Sequence, residues 1–363
     1  MDKGKMNKLN NYHVIFLVQN VMIGIGLLSF PHSMSPLGYD LWWMPVVYGF
    51  IAQISLAFMV HVGLTFPGQS LYEINESLFG AWIGRILNIC IMFYGLIEVA
   101  AVCETYLRLM QTISLPDYTI TLPLIAFFTV MIYTVLGGIK LIARLCILTF
   151  FITGWMAYYL QWGIQKGFIS HLLPLFHLDF TFTDWWLAAK ASFPTLFGFE
   201  LILFYFPYIQ HPKQALKLAS LGLWISVTFY VAVSTVSVLY FSKWQLDNIL
   251  YPILNLFKAV ELSFIERIEN LGLALWVMLV LSTSTAYLWL AKKGLDRIRM
   301  KNRAWHIYAC AAVPFFFIQG PIAYEIRQKV YLEFTLYLGF ALMTWPVLIL
   351  LIHRIKKGGT KNE

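Results

Sequence analysis

Apolar blocks of about twenty residues recur along almost the whole chain, and this pattern limits the fold more than any other sequence feature. Helices of that length match the hydrocarbon thickness of a bilayer. Only 12% of the residues are charged, whereas about 25% are charged in a soluble domain. The sequence therefore predicts an all-α integral membrane protein, because a barrel would show shorter, alternating segments. The blocks predict ten transmembrane helices, at about 12–34, 41–65, 83–112, 120–136, 142–165, 184–208, 215–241, 268–292, 305–320 and 331–353.

The basic residues are divided unevenly between the two sides of this predicted membrane. Of the 26 Lys and Arg, 18 fall in the two tails and one alternating set of loops, whereas the opposite loops hold seven. Positive charge accumulates in cytoplasmic loops. Both termini are therefore predicted to be cytoplasmic, with tails at 1–11 and 354–363 and one transmembrane domain at 12–353. The net charge of +8 is then explained by the basic residues on the cytoplasmic side of a lipid bilayer. No nucleic-acid partner is expected.

Two of the ten blocks are interrupted by glycine and proline at corresponding positions. The first contains GIGLLSFP at 24–31, and the sixth contains ASFPTLFGFE at 191–200. Glycine and proline are unfavourable in a helix interior, and the backbone groups that they free find no water in a bilayer. Matched interruptions indicate a transporter-type site near the membrane midplane. The prediction is a 5+5 inverted repeat, about 12–165 and 184–353, with helices one and six broken.

The two breaks predict a site for a small zwitterion such as an amino acid. Amide groups near Gly26 would face a carboxylate, and carbonyls near Pro194 would face an ammonium group. Close helix packing could also explain the glycines, and a simple kink could explain the proline. Leucine at Gly24 or Gly198 is expected to fill the site without preventing membrane insertion. The predicted ligand-binding residues are Gly24, Ile25, Gly26, Leu27, Glu98, Phe197, Gly198 and Glu200.

Ionisable groups inside the predicted spans are further candidates, because they are costly in a membrane. Glu98 and Glu200 could form an ion or proton site with the hydroxyls of Ser282 and Thr285. Glu200 could equally cap the second half of helix six, and the hydroxyls could bond to their own helix carbonyls. Glu104 and Lys190 could pair, or Lys190 could instead extend outward to the membrane surface.

Enzymatic chemistry has no visible basis in the sequence. The four cysteines, Cys90, Cys103, Cys146 and Cys310, lie in apolar blocks without metal-ligand spacing. Phosphate-binding loops, dinucleotide fingerprints and HExxH motifs are missing from the sequence. No catalytic residue, metal or cofactor is therefore predicted.

Several longer stretches resemble the spore germination permease family, the B subunits of endospore nutrient germinant receptors. This family lies within the amino acid–polyamine–organocation superfamily, whose LeuT-like fold is a 5+5 inverted repeat. The resemblance implies a spore inner membrane protein that senses a nutrient together with an A subunit and a lipoprotein C subunit. The stretches are IGIGLLSFP at 23–31, PLGYD at 36–40, GGIKLIAR at 137–144, FGFELILFYFPYIQHPKQ at 197–214 and YPILNLFKAVELSFIERIENLGLALW at 251–276.

Two functions remain open at this stage, a receptor subunit and a secondary transporter of amino acids or related solutes. Some proton-coupled members of the superfamily carry a lysine in the middle of span five. Here that span has no such lysine, and its basic residue Arg144 lies at the cytoplasmic end. Proton coupling by that route is therefore not expected.

Overall fold

The computed structural model describes residues 8–114, 116–117, 119–260 and 268–359, which form α-helices joined by short 3-10 segments and loops. The helices are α1 (Asn11–Met22), α2 (Gly26–Ser33), α3 (Met44–Thr65), α4 (Leu71–Ile113), α5 (Thr121–Leu136), α6 (Ile139–Thr153), α7 (Leu160–Lys166), α8 (Phe182–Ser192), α9 (Ile202–Tyr205), α10 (Ala215–Tyr240), α11 (Lys243–Asn248), α12 (Pro252–Lys258), α13 (Ile268–Ile298), α14 (Trp305–Gln319) and α15 (Tyr324–Gly359). The 3-10 segments are Ser35–Trp42, Gly154–Tyr159, Ile169–Leu172, Phe193–Leu196, Phe199–Leu201, Phe206–Tyr208 and Pro212–Gln214.

Six of the described helical segments are long and apolar enough to cross a membrane. They are α3, α4, α6 with α7, α10, α13 and α15. Two bent pairs are also long and apolar enough, α1 with α2 at 52° and Phe182–Leu196 with Phe199–Tyr208 at 48°. Two shorter apolar helices remain, α5 with 16 residues and α14 with 15. The protein is therefore an all-helical, multi-pass membrane protein.

The observed helix ends differ from the predicted blocks in three places. The helix α4 begins at Leu71 because Ser70 and Glu73 form a capping box, and Gly80, at φ +81°, separates the first turns from the span. The fifth block changes to 3-10 geometry over Gly154–Tyr159. The tenth block begins earlier than expected, at Tyr324. Residues 261–267, which belong to the stretch at 251–276, lie outside the described residues.

The helix α13 lies along α4 at the centre of the molecule, and buried hydroxyl groups tie the two together. The Tyr106 hydroxyl donates to the Leu273 carbonyl at 2.7 Å, and the Tyr72 hydroxyl donates to the Leu290 carbonyl at 3.1 Å. These contacts are about 25 Å apart along α13. Together the two helices form a long support against which both broken spans pack.

The chain before α1 also contacts the end of the sixth block. The Leu9 amide donates to the Tyr208 carbonyl at 2.7 Å, and the Gln210 amide donates to the Leu9 carbonyl at 2.9 Å. Both broken segments are therefore held together at this end of the molecule, which fixes their breaks beside each other.

Candidate functional site

The two helix breaks lie in direct contact, and glycine is required where they meet. Gly198 has φ +129°, and a Cβ atom there would lie 2.7 Å from the Val21 carbonyl carbon. A Cβ atom on Gly26 would lie 2.5 Å from the Thr195 Cβ. Close packing therefore explains these two glycines. A side chain at Gly198 would be strained, because both the backbone angle and the Val21 backbone oppose it. The expectation that the leucine variant still inserts into the membrane stays a prediction.

Gly24 is in a different position, because its missing side chain leaves space. The nearest atom to a Cβ built on Gly24 is the Thr283 Cγ2, 3.9 Å away. The Gly24 carbonyl accepts a hydrogen bond from the Trp276 indole nitrogen at 3.3 Å. Gly24 therefore lines open space rather than a packing contact, as a ligand-binding position requires.

One tyrosine hydroxyl connects the two breaks. The Tyr230 oxygen on α10 lies 3.0 Å from the Met22 carbonyl, which ends the first half of the first span. It lies 2.7 Å from the Thr195 carbonyl, which ends the first half of the sixth. The Pro194 carbonyl already accepts from the Phe197 amide at 3.1 Å. Two of the carbonyls predicted to face an ammonium group therefore have partners within the protein.

A cavity of about 210 Å³ adjoins both breaks and lies between the broken spans, α4, α13 and α15. Pockets for drug-sized ligands are typically about 300–1,000 Å³, so a cavity of this size suits a smaller solute. Five predicted residues line this cavity: Gly24, Ile25, Gly26, Glu98 and Phe197. The remaining three, Leu27, Gly198 and Glu200, are not part of its lining. Leu27 faces a separate apolar cavity beside Trp276.

Glu98 is the acidic residue in the lining of this cavity. Its side chain is buried, and one carboxylate oxygen accepts a hydrogen bond from the Thr335 hydroxyl on α15. A carboxylate can accept several more hydrogen bonds. Glu98 is therefore placed to receive a cationic or N–H group of a solute in the cavity.

Glu200 is fully buried beside the cavity and holds the second break in shape. Its carboxylate accepts from the Gly198 amide at 2.6 Å, from the Tyr94 hydroxyl at 3.0 Å and from the Tyr287 hydroxyl at 2.9 Å. These three donors favour the capping interpretation of Glu200. The ligand-binding or proton-carrying role of Glu200 stays a prediction.

The hydroxyls of α13 that were considered for an ion site bond mainly to their own helix. The Ser282 hydroxyl donates to the Leu279 carbonyl at 2.9 Å and also contacts the Asn20 side chain. The Thr285 hydroxyl donates to the Leu281 carbonyl at 2.5 Å. Neither residue lines the cavity, whereas Thr283 does. Among the described residues, no group of three or more His, Cys, Asp and Glu could hold a metal ion.

The interpretation that Glu104 pairs with Lys190 is wrong. Glu104 is fully buried and pairs with Arg327 of α15 at 2.6 Å, and it also accepts from the Tyr331 hydroxyl at 2.7 Å. Arg108, one turn along α4, lies 3.3 Å from the same carboxylate. Lys190 is exposed and lies 5.2 Å from the centre of the Trp186 ring. The acidic side chain faces α15, so it cannot reach α8.

Four of the cavity residues that were not predicted from the sequence come from α15. Gln328, Tyr331 and Thr335 line the cavity opposite Glu98. Their spacing of three and four residues places them on one helix face. That polar stripe was a usable signal, but the tenth block was predicted to begin only at 331. Phe197 also depends on α15, since its ring packs 5.7 Å from that of Phe340.

Comparisons with known proteins identify relatives of the whole chain. A family model described as spore germination protein matches residues 8–322. The spore germination protein GerQB of Bacillus cereus is 24% identical over 289 residues, which is 79% of each chain. The spore germination protein B2 of Bacillus subtilis (strain 168) is 26% identical over 335 residues, 87% of each chain. The A2 protein of the same strain is 24% identical over 358 residues, 96% of each chain.

Solved structures of transporters share the fold. MhsT in complex with L-phenylalanine has a TM-score of 0.63 at 15% identity, over 92% of this chain and 87% of that chain. The nucleobase-cation-symport-1 family transporter MHP1, with bromovinylhydantoin bound, has a TM-score of 0.62 at 11% identity, over 90% of this chain and 75% of that chain. These identities show only that the fold is a LeuT-like transporter fold. The match over residues 8–322 shows more: the chain belongs to the spore germination permease family.

Proposed function

We propose that this protein is the ligand-binding membrane subunit of a spore nutrient germinant receptor. The observation that carries the proposal is the cavity at which both broken helices, α4, α13 and α15 meet, because five separate segments can respond to one bound solute. The germination proteins among the relatives support the physiological setting. In this proposal the subunit lies in the spore inner membrane and signals with an A subunit and a lipoprotein C subunit.

The proposed topology has ten spans in a 5+5 inverted repeat. The six long segments, the two bent pairs and the two shorter apolar helices would each provide one span. Residues 1–11 and 354–363 are then cytoplasmic tails of one transmembrane domain at 12–353. The bend angles of 52° and 48° support this arrangement, since the two repeats would have broken helices at equivalent positions.

The proposed ligand is a small solute with an amino group, such as an amino acid. Glu98 would receive the amino group, and the first amides of α2 would face a carboxylate near Gly24. Phe197 and Tyr287 give the same cavity aromatic walls for an apolar side chain. Gly24, Ile25, Gly26, Glu98 and Phe197 form the core of this proposed site, with Gly198 and Glu200 supporting the second break.

A secondary transporter of related solutes is the second candidate, and the fold neighbours favour it. A concentrating transporter must couple its solute to an ion or proton. The candidates for such a site have structural partners here, since Glu200 caps the break and Thr285 bonds to its own helix. A receptor needs only two states that a ligand favours unequally. The receptor is therefore the better-supported proposal.

Uptake and germination assays separate the two functions. We expect the purified chain in liposomes to show little concentrative uptake of labelled amino acids under a proton or sodium gradient. Deletion of the chain should abolish one specific nutrient response while immunoblots still detect the partner subunits. Gradient-driven accumulation by the isolated chain, combined with normal germination of the deletion strain, would overturn the receptor in favour of the transporter.

A further inference from the structure

A second cavity, of about 50 Å³, adjoins the first helix break. Ile23 and Leu27 line this cavity, whereas Gly24 and Gly26, which lie between them in the chain, line the ligand cavity. The peptide chain of the break is therefore a wall that two cavities share. On its other sides the second cavity is bounded by side chains of α6, α10, α12 and α13, and we call it the rear cavity.

The rear cavity is lined mainly by apolar side chains, with Gln19, Thr153 and Trp276 as the polar exceptions. The Thr153 hydroxyl donates to the Thr149 carbonyl of its own helix at 2.8 Å. The Gln19 side chain is 2% exposed, and its amide oxygen accepts no hydrogen bond within the described part of the chain. A buried acceptor without a donor is costly, because it has lost its hydrogen bonds to water. The rear cavity therefore holds an amide oxygen that lacks a donor.

The Trp276 indole is a donor in the rear cavity that is not bound to its own helix. Its N–H donates to the Gly24 carbonyl at 3.3 Å, which is longer than the usual distance of about 2.9–3.0 Å. This bond joins α13 to the break itself, so movement of the break away from α13 would separate the two atoms. The buried indole N–H would then need another acceptor, and Gln19 lines the same cavity.

We propose that Gln19 and Trp276 are positioning residues of the solute site and that they act through the Gly24 carbonyl. The inference rests on the proposed function, because it concerns how the break accommodates a bound solute. Without a solute, the indole N–H holds the Gly24 carbonyl. A solute amino group that reaches this carbonyl competes with the indole for it, and the indole N–H then passes to the Gln19 oxygen.

The transfer needs only a small movement, since the rear cavity is a few ångströms across and the Gln19 side chain can rotate about its bonds. It exchanges one long hydrogen bond for another and supplies a donor to the unpartnered Gln19 oxygen. Gln19 therefore stabilises the arrangement in which the Gly24 carbonyl is available to the solute. Without Gln19, the buried indole N–H would have no acceptor in that arrangement, and the solute would bind more weakly.

Germination of spores that carry variants of the full-length chain tests this proposal, with each of the standard amino acids as the probe. The dose response is measured for an amino acid whose response is lost when the chain is deleted. Gln19→Met keeps the length of the side chain and removes the acceptor. We expect the half-maximal concentration to rise about fivefold, as for the loss of one hydrogen bond. Protein abundance should not fall, because the substitution also removes an unpartnered acceptor from the solute-free protein.

A double-mutant cycle with Trp276→Phe measures whether Gln19 acts through the indole. Trp276→Phe keeps an aromatic ring and removes the N–H, so the addition of Gln19→Met should not change the dose response further. The matched control is Gln53→Met, because the Gln53 amide oxygen is also buried without a partner among the described residues but lines neither cavity. This control should leave the half-maximal concentration unchanged. If Gln19→Met lowers protein abundance, Gln19→Leu should show the same rise of about fivefold after normalisation.

Each remaining result counts against the transfer. A normal dose response of the Gln19→Met spores would refute it and leave the proposed function intact. An effect of Gln19→Met that persists beside Trp276→Phe would show that Gln19 serves another group, such as a bound water. An equal shift in Gln53→Met would show that the loss of any buried amide has this effect. If deletion of the chain abolishes no amino acid response, the proposed function fails, and this inference fails with it.

Discussion

Two buried glutamates near the helix breaks have different surroundings, and the same substitution should affect them differently. Glu200 accepts from three donors, including the Gly198 amide. Glu200→Gln presents an amide nitrogen that cannot accept, so we expect a loss of about 1–3 kcal/mol of folding stability. Glu98→Gln keeps a carbonyl for Thr335, and stability should be retained. Thermal unfolding of the two purified variants, followed by intrinsic fluorescence, measures this contrast.

Glu98→Gln should instead change the response to nutrient. Loss of a buried charge-assisted contact costs about 2 kcal/mol or more, so the half-maximal nutrient concentration should rise at least about 25-fold. Germination rate against nutrient concentration, normalised to protein abundance, gives this number. An unchanged dose response at normal abundance would remove Glu98 from the proposed site.

Tyr230 and Tyr205 are both buried, but only one of the two hydroxyls has a visible role. The Tyr230 hydroxyl reaches the Met22 and Thr195 carbonyls, whereas the Tyr205 hydroxyl is buried without a partner. We expect Tyr230→Phe to destabilise the protein by about 1–3 kcal/mol. Tyr205→Phe should be neutral or stabilising, because it removes an unsatisfied polar group. Equal melting temperatures for both variants would refute the role of Tyr230 at the junction.

At the scale of the elements, the two breaks should tolerate different substitutions. Gly198→Ala places a side chain at φ +129° against the Val21 backbone, and we expect a loss of at least about 1–3 kcal/mol. Gly24→Ala has space, so the stability should be unchanged or slightly higher. Melting temperatures in one detergent compare the two variants. Gly24→Leu should also weaken the nutrient response, because Gly24 lines the cavity.

The elements themselves were largely predictable because hydropathy sets the length of a membrane helix. The second and seventh blocks agree with α3 and α10 within about three residues, and both breaks lie where glycine and proline interrupt the pattern. Side-chain partners were not predictable in the same way. Glu104 faces Arg327 rather than Lys190, because the orientation of each helix is set by long-range packing that local sequence patterns do not reveal. Tyr230 is the clearest case, since nothing in its surroundings in the sequence signals a contact with two distant breaks.

At the scale of the whole molecule, the proposed topology assigns opposite sides of the membrane to two exposed lysines. Lys258 at the end of α12 should be external, and Lys301 after α13 should be cytoplasmic. Single cysteines at these positions, in a background without the four native cysteines, should differ in labelling. An impermeant maleimide added to intact cells should label only the cysteine at 258. Labelling at 301 without prior permeabilisation would rule out the ten-span arrangement.

The Tyr230 hydroxyl has one hydrogen and two acceptors, so the junction between the broken spans has two equivalent bonding patterns. The hydrogen can serve Met22 or Thr195, and the number of strong bonds is the same in either case. If the two spans separate slightly, the Tyr230 hydroxyl can still donate one strong hydrogen bond, to whichever of the two carbonyls it stays with. Such degeneracy lowers the energy gap between two arrangements of the same helices. A solute that prefers one arrangement then needs little binding energy to change their populations.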